Sequence, residues 1–223
     1  MLNFTPAVLL PSLLQQYAGF PDRIIGEIVG ARGAGATVGF FLAMFFGRFD
    51  PRIGMSFGFG LLATAGIWLM AIDLNVDGRT LMLNSALQGV AVGVFWVPLT
   101  IATFPTLESQ LMPEAMALFH LLRNIGSSLF ISICVAEVLR TQGANYSRMT
   151  EMVSPYNKAL SMPLTMGAWT VDTVGGLAQL SKEINRQAAM IGYMNAFGFF
   201  TAASAAGIVL IMFAKKRQRK VAA

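Results

Sequence analysis

Residues 119–135 read FHLLRNIGSSLFISICV, and His120, Arg123, Asn124, Ser127 and Ser128 interrupt an otherwise apolar run. What such a run folds into depends on its solvent, and composition identifies that solvent. The chain is 55% hydrophobic and 12% charged, with a mean hydropathy of +0.62. A soluble domain keeps about 25% charged residues because its surface faces water. The deficit points to lipid.

The net charge of +5 is concentrated at the end, where Lys215, Lys216, Arg217, Arg219 and Lys220 crowd together. A basic run beside an apolar span reads as a topology anchor and not as a nucleic-acid patch. The lone Cys134 excludes a disulfide framework within the chain. Residues 1–18 lack a positive n-region and a small-residue cleavage site, which argues against a signal peptide.

A helix needs about 20 mostly apolar residues to span a bilayer. The expected fold is an all-α polytopic membrane protein with six transmembrane helices, near 2–18, 30–48, 53–73, 80–104, 114–139 and 189–214. Residues 1–140 hold five of them. Residues 141–188 mix polar residues with prolines and a glycine pair, and read as an extracytoplasmic loop with an amphipathic piece around Trp169. Residues 215–223 form a basic cytoplasmic tail, which puts the C-terminus in the cytoplasm of an inner-membrane, multi-pass protein.

Three small-xxx-small spacings, Gly35/Gly39, Gly54/Gly58 and Gly89/Gly93, would let helix backbones approach closely in lipid. On a helix, residues 120, 124, 127 and 128 share one face, so His120, Asn124, Ser127 and Ser128 make a polar stripe with Arg123 at its border. Placing an arginine at a helix centre costs about 2.5–3.5 kcal/mol on insertion scales, so the stripe should face protein or water, as helix glue or as cavity lining. Arg32 stands near one end of the second span. Gln88 precedes Gly89, where it could hydrogen-bond across a helix crossing, and Thr100 is another mid-span polar group. Pro98 removes a backbone donor inside a span.

Catalysis finds no support. One histidine rules out HExxH and most metal clusters, and neither a GxSxG turn nor a GxxxxGK[ST] phosphate loop occurs. The spans also lack central carboxylates, so any that carry protons would lie elsewhere.

The runs LLPSLLQQYAGFP, ARGAGATVGFFLAMFFGRFDPR, QGVAVGVFWVPLTIATFPTL, ALFHLLRNIGSSLFISI, SPYNKAL and RQAAMIGYMNAF, in this order, resemble the EmrB/QacA-type drug efflux permeases. These are fourteen-span, proton-coupled members of the major facilitator superfamily, and the likeness covers their last six spans. It implies a C-terminal bundle built as a three-plus-three inverted repeat that rocks against a missing N-terminal half. It also implies a cytoplasmic loop in which Arg48, Asp50 and Arg52 pair to latch one conformation. The family motif usually reads ALFNLLRN, so His120 departs from it and puts an imidazole where the motif has an amide.

The expected function is therefore the C-terminal portion of a multidrug antiporter that exports amphipathic compounds, flat or cationic, by alternating access. A proton gradient would supply the energy, and no cofactor or metal would be needed. Partners would be membrane lipid, the missing N-terminal transporter half or a second copy, the amphipathic substrate, and a periplasmic adaptor with an outer-membrane channel. The alternative is a truncated or non-transporting six-span protein acting as an assembly partner. An upstream reading frame encoding eight more spans would favour transport, and a true start at Met1 the alternative.

Overall fold

A computed structural model describes residues 2–46, 50–104, 110–154, 156–157 and 173–213. The fold is an all-helical membrane bundle of six helices in chain order: α1 (Phe4–Leu13), α2 (Asp22–Phe46), α3 (Pro51–Met70), α4 (Gly78–Thr103), α5 (Met112–Glu151) and α6 (Val174–Phe213). Helices α2 to α6 are each long and apolar enough to cross a bilayer. At 10 residues α1 is too short to do so alone, although a π-helical turn over Leu14–Ala18 continues it.

The π turn closes where the Gly19 and Phe20 amides both reach back to the Leu14 carbonyl. Gly19 sits at φ 70° in the left-handed region, where a Cβ would clash with the following carbonyl. Pro21 then prevents continuation, and Asp22 opens α2 with a carboxylate at the positive end of its helix dipole. The replacement Gly19→Ala should cost about 1–2 kcal/mol through this strain. Faster hydrogen exchange at the Phe20 amide, together with a lower melting temperature, would report it.

Helix α2 packs chiefly on α4, α3 lies against α4 and α6, and α5 pairs with α6, while α1 rests on α2, α5 and α6. The α2–α4 seam is parallel and made of backbone. A Cβ on Gly35 or Gly39 would overlap the Ala86 or Val90 carbonyl, and one on Gly89 or Gly93 would strike the backbone of Arg32 or Ala36. The two GxxxG faces therefore interdigitate. Elsewhere Gly58 admits Phe95 of α4, and Gly66 lies against Phe200 and Thr201 of α6. The buried centre includes Leu13, Leu69, Leu81, Tyr193 and Phe197, with a second cluster of Leu62, Ala91, Phe95 and Phe200.

The expected element boundaries need revision at several points. Helix α2 begins at Asp22 and not near 30, so the polar stretch DRIIGE is already helical. Most of what was expected as a loop from 141 to 188 is helix, since α5 runs on to Glu151 and α6 starts at Val174. Each has 40 residues, or about 60 Å at 1.5 Å per residue, against a hydrocarbon core of about 30 Å. Hydropathy finds only the part of a helix that lies in lipid. The polar extensions are ordered by pairing with each other instead.

In that pairing Tyr146 Oη and Ser181 Oγ share a hydrogen bond at 2.9 Å, and Gln142 Nε2 donates to Asn185 Oδ1 at 2.8 Å. Arg186 Nε donates to the Tyr17 carbonyl at 2.8 Å, and Tyr193 Oη donates to Ser12 Oγ at 3.1 Å, tying α6 to the first helix and its π turn. The Trp169 piece and the basic tail lie outside the described residues.

Candidate functional site

Two intramembrane arginines converge on the start of α1 from different helices. Arg32 of α2 donates from Nη2 to the backbone carbonyl and side-chain Oδ1 of Asn3, and from Nη1 to Gln88 Oε1 at 3.1 Å. Gln88 Nε2 donates to Asn84 Oδ1 at 2.7 Å, and Asn84 Nδ2 to the Ala65 carbonyl of α3 at 3.0 Å. Gln88 and Asn84 are each 1% exposed and lie one turn apart on α4, hence on one face. A single directed chain of donors thus joins the start of α1 to α2, α4 and α3. Gly89 makes it possible, because only a residue without Cβ lets α4 come this close to the Arg32 backbone.

Arg123 of α5 is held differently. Its guanidinium carbon lies 5.2 Å from the Trp96 ring centroid and 5.9 Å from that of Phe4, a cation–π seat between α4 and α1. Its Nη2 donates to Asn124 Oδ1 at 3.3 Å, while its buried Nε has no hydrogen-bond acceptor among the described residues. Ser127 Oγ turns back onto the Arg123 carbonyl and is buried. An aromatic row extends the seat: Phe59 stacks on Phe95, Phe95 meets Trp96, Trp96 meets Phe119, and Phe119 meets Phe104 and His120.

The stripe expected on α5 is thus divided. Ser127 is buried and Arg123 half-buried, whereas His120, Asn124 and Ser128 are exposed, on a face that no other described helix of this chain covers. On α4, Pro98 is buried without breaking the helix, and Thr100 Oγ1 donates to the Val97 carbonyl at 2.8 Å within its own turn. Asp50 is exposed at the boundary of α3, Arg52 lies in its first turn, and Arg48 lies outside the described residues.

The ion pairs among the described residues, Arg23–Glu27 and Arg186–Glu183, involve neither Arg32 nor Arg123. No group of acids, histidines or cysteines that could hold a metal occurs among these residues. Sequence reasoning missed Asn3, Asn84, Phe4 and Trp96. Asn84 was findable, four residues before Gln88 on the same face. The aromatic seat was not, because it joins residues from three helices.

Comparison with known proteins bears on this arrangement. The chain is 28% identical to the multidrug export protein EmrB of Haemophilus influenzae over 93% of its own length. The chain is similar to the multidrug export protein EmrB and to the probable multidrug resistance protein EmrY. The EmrY relative, a probable multidrug resistance protein of Escherichia coli K12, is 25% identical over 93% of the chain. The fatty acid resistance protein FarB of Neisseria gonorrhoeae is 26% identical over 72% of it. The chain spans 41% of the length of the EmrB and EmrY relatives, consistent with a C-terminal portion. No family model matches the chain, and no solved structure matches it.

Proposed function

We propose that this chain is the C-terminal six-helix bundle of a proton-driven exporter of amphipathic compounds, working by alternating access. The observation that carries the reading is the open polar face of α5. His120, Asn124 and Ser128 project from a membrane-spanning helix, and no described part of the chain covers them. Hydrocarbon does not solvate such a face, so protein or water must lie opposite it. One wall of a transport path meets that requirement, and the remaining length of the EmrB-type relatives leaves room for the other wall.

The mid-span regions described here present arginines and amides but no central carboxylate, so proton-carrying acids belong to the opposite half. The basic sequence after the last span supports a cytoplasmic C-terminus. The α5–α6 pair exceeds the bilayer by up to roughly 30 Å, which offers a water-facing helical surface to a periplasmic adaptor. The Arg48–Asp50–Arg52 loop would act at the other end through the conformation it favours, since exposed pairs contribute only about 0–1 kcal/mol each.

In cells expressing the complete reading frame, Arg123→Ala should lower efflux of a fluorescent dye at least tenfold while membrane insertion stays intact. Efflux at the parental rate would remove the support for the α5 wall.

A further inference from the structure

The polar extension of α6 passes the end of the first helix and leaves an open cavity of about 580 Å³ between them. Ligand sites run to about 300–1,000 Å³. Gln16, Tyr17 and Gly19 line one side, and Gln179, Lys182 and Arg186 of α6 line the other. Residues 179, 182, 183 and 186 follow an i, i+3, i+4, i+7 spacing and share one face of the helix. Ser181 lies away from that face and bonds Tyr146 of α5. The two walls are joined where Arg186 Nε donates to the Tyr17 carbonyl at 2.8 Å, so the cavity is formed before anything enters it.

Depth identifies its surroundings. From Ala188 to Phe213, α6 carries no charged residue. Arg186 stands about 40 Å from Phe213 along the helix at 1.5 Å per residue, and a bilayer with its headgroups is about 40–45 Å thick. Arg186 is therefore level with the headgroups of the leaflet far from Phe213, and Lys182 is about one turn further out. Tyr17 is half-buried, and its ring with a polar tip suits that level.

The charges around the cavity do not cancel. Both oxygens of Glu183 are engaged within α6, by Arg186 Nη1 at 3.4 Å and by Gln187 Nε2 at 2.7 Å. Lys182 is exposed and takes part in neither of the ion pairs among the described residues. Lys182 and Arg186 against Glu183 leave one positive charge on the lining. The amides of Gln16 and Gln179 add neutral donors. This donor set suits an oxyanion, since hydrogen bonds between ionised partners are the stronger ones.

We propose that the cavity binds the phosphate of an anionic phospholipid headgroup, with Lys182 and Arg186 as its cationic donors. One surplus positive charge matches phosphatidylglycerol, which carries one negative charge, better than a zwitterionic headgroup. A phosphate already held in the leaflet at this depth gives up little freedom on binding, whereas a free phosphate must be taken from water. The site is separate from the face of α5 and does not depend on transport.

The test titrates detergent-solubilised protein from the complete reading frame with phosphatidylglycerol and with phosphatidylcholine of identical acyl chains. Native mass spectrometry counts the bound lipids. The first phosphatidylglycerol should bind at least tenfold more tightly than the first phosphatidylcholine. Lys182→Gln should lower that affinity at least fivefold and Lys182→Arg should keep it, both with the parental melting temperature because the side chain is exposed. Arg23→Gln, at an exposed arginine outside the cavity, should bind as the parent does.

Equal affinity for the two lipids would overturn the proposal. So would parental binding by Lys182→Gln, or an equal loss in Arg23→Gln, which would reduce the effect to general surface charge. Glycerol 1-phosphate in equal concentration should leave the lipid bound. Its displacement of the lipid would overturn the assignment to a headgroup and make a water-borne phosphate the ligand.

Discussion

Placing leucine at position 89 should wedge α2 away from α4 and lower the stability of the bundle sharply. The Cβ alone would overlap the Arg32 carbonyl and crowd the Ala36 amide, and neither is a side chain that can change rotamer. Overpacking a flexible interior costs about 1–3 kcal/mol, and a clash with rigid backbone belongs at or above the top of that range. For Gly89→Leu the expected loss is therefore about 3 kcal/mol or more, or roughly 6–12 °C in melting temperature for a chain of this size. Thermal unfolding in detergent, followed by size-exclusion chromatography, measures it. Gly33→Leu is the control, because a Cβ at Gly33 meets nothing within 4 Å. If both substitutions behave alike, the glycine seam does not hold these helices together.

Gln88→Leu breaks the donor chain at its centre and should cost about 3 kcal/mol. It leaves a guanidinium donor on Arg32 and the Asn84 Oδ1 acceptor facing an apolar side chain, and hydrogen bonds to charged groups are worth about 1.5–3 kcal/mol each. Removing one partner of a buried charge is costly mainly because the other is left behind. The double variant Arg32→Met/Gln88→Leu should accordingly recover at least about 1 kcal/mol relative to Gln88→Leu, a coupling expected of residues in direct contact. Strict additivity of the two substitutions, or a cost for Gln88→Leu below about 0.5 kcal/mol, would show that the chain does not bear on stability.

What could be read from the sequence follows the physics of each signal. Apolar length located α3 and α4 within a few residues, because lipid imposes that length directly. It missed the polar ends of α5 and α6, about a third of each helix, which are paired by contacts such as Tyr146 with Ser181 that no hydropathy window registers. The spacing of Gly89 and Gly93 announced a close approach but could not name α2 as the partner. In the candidate site, the cost of burying an arginine singled out Arg123. Its seat on Phe4 and Trp96 depends on tertiary placement and left no local trace.

The glycine seam has a mechanical consequence. Two helices meshed backbone to backbone have no side chains to rearrange between them, so α2 and α4 form a rigid frame. The first helix is held differently, by the buried Leu9, Leu10 and Leu13 together with polar contacts: Arg32 on Asn3, Arg186 on Tyr17, and Tyr193 on Ser12. Any displacement of the bundle therefore carries α2 and α4 together as one body.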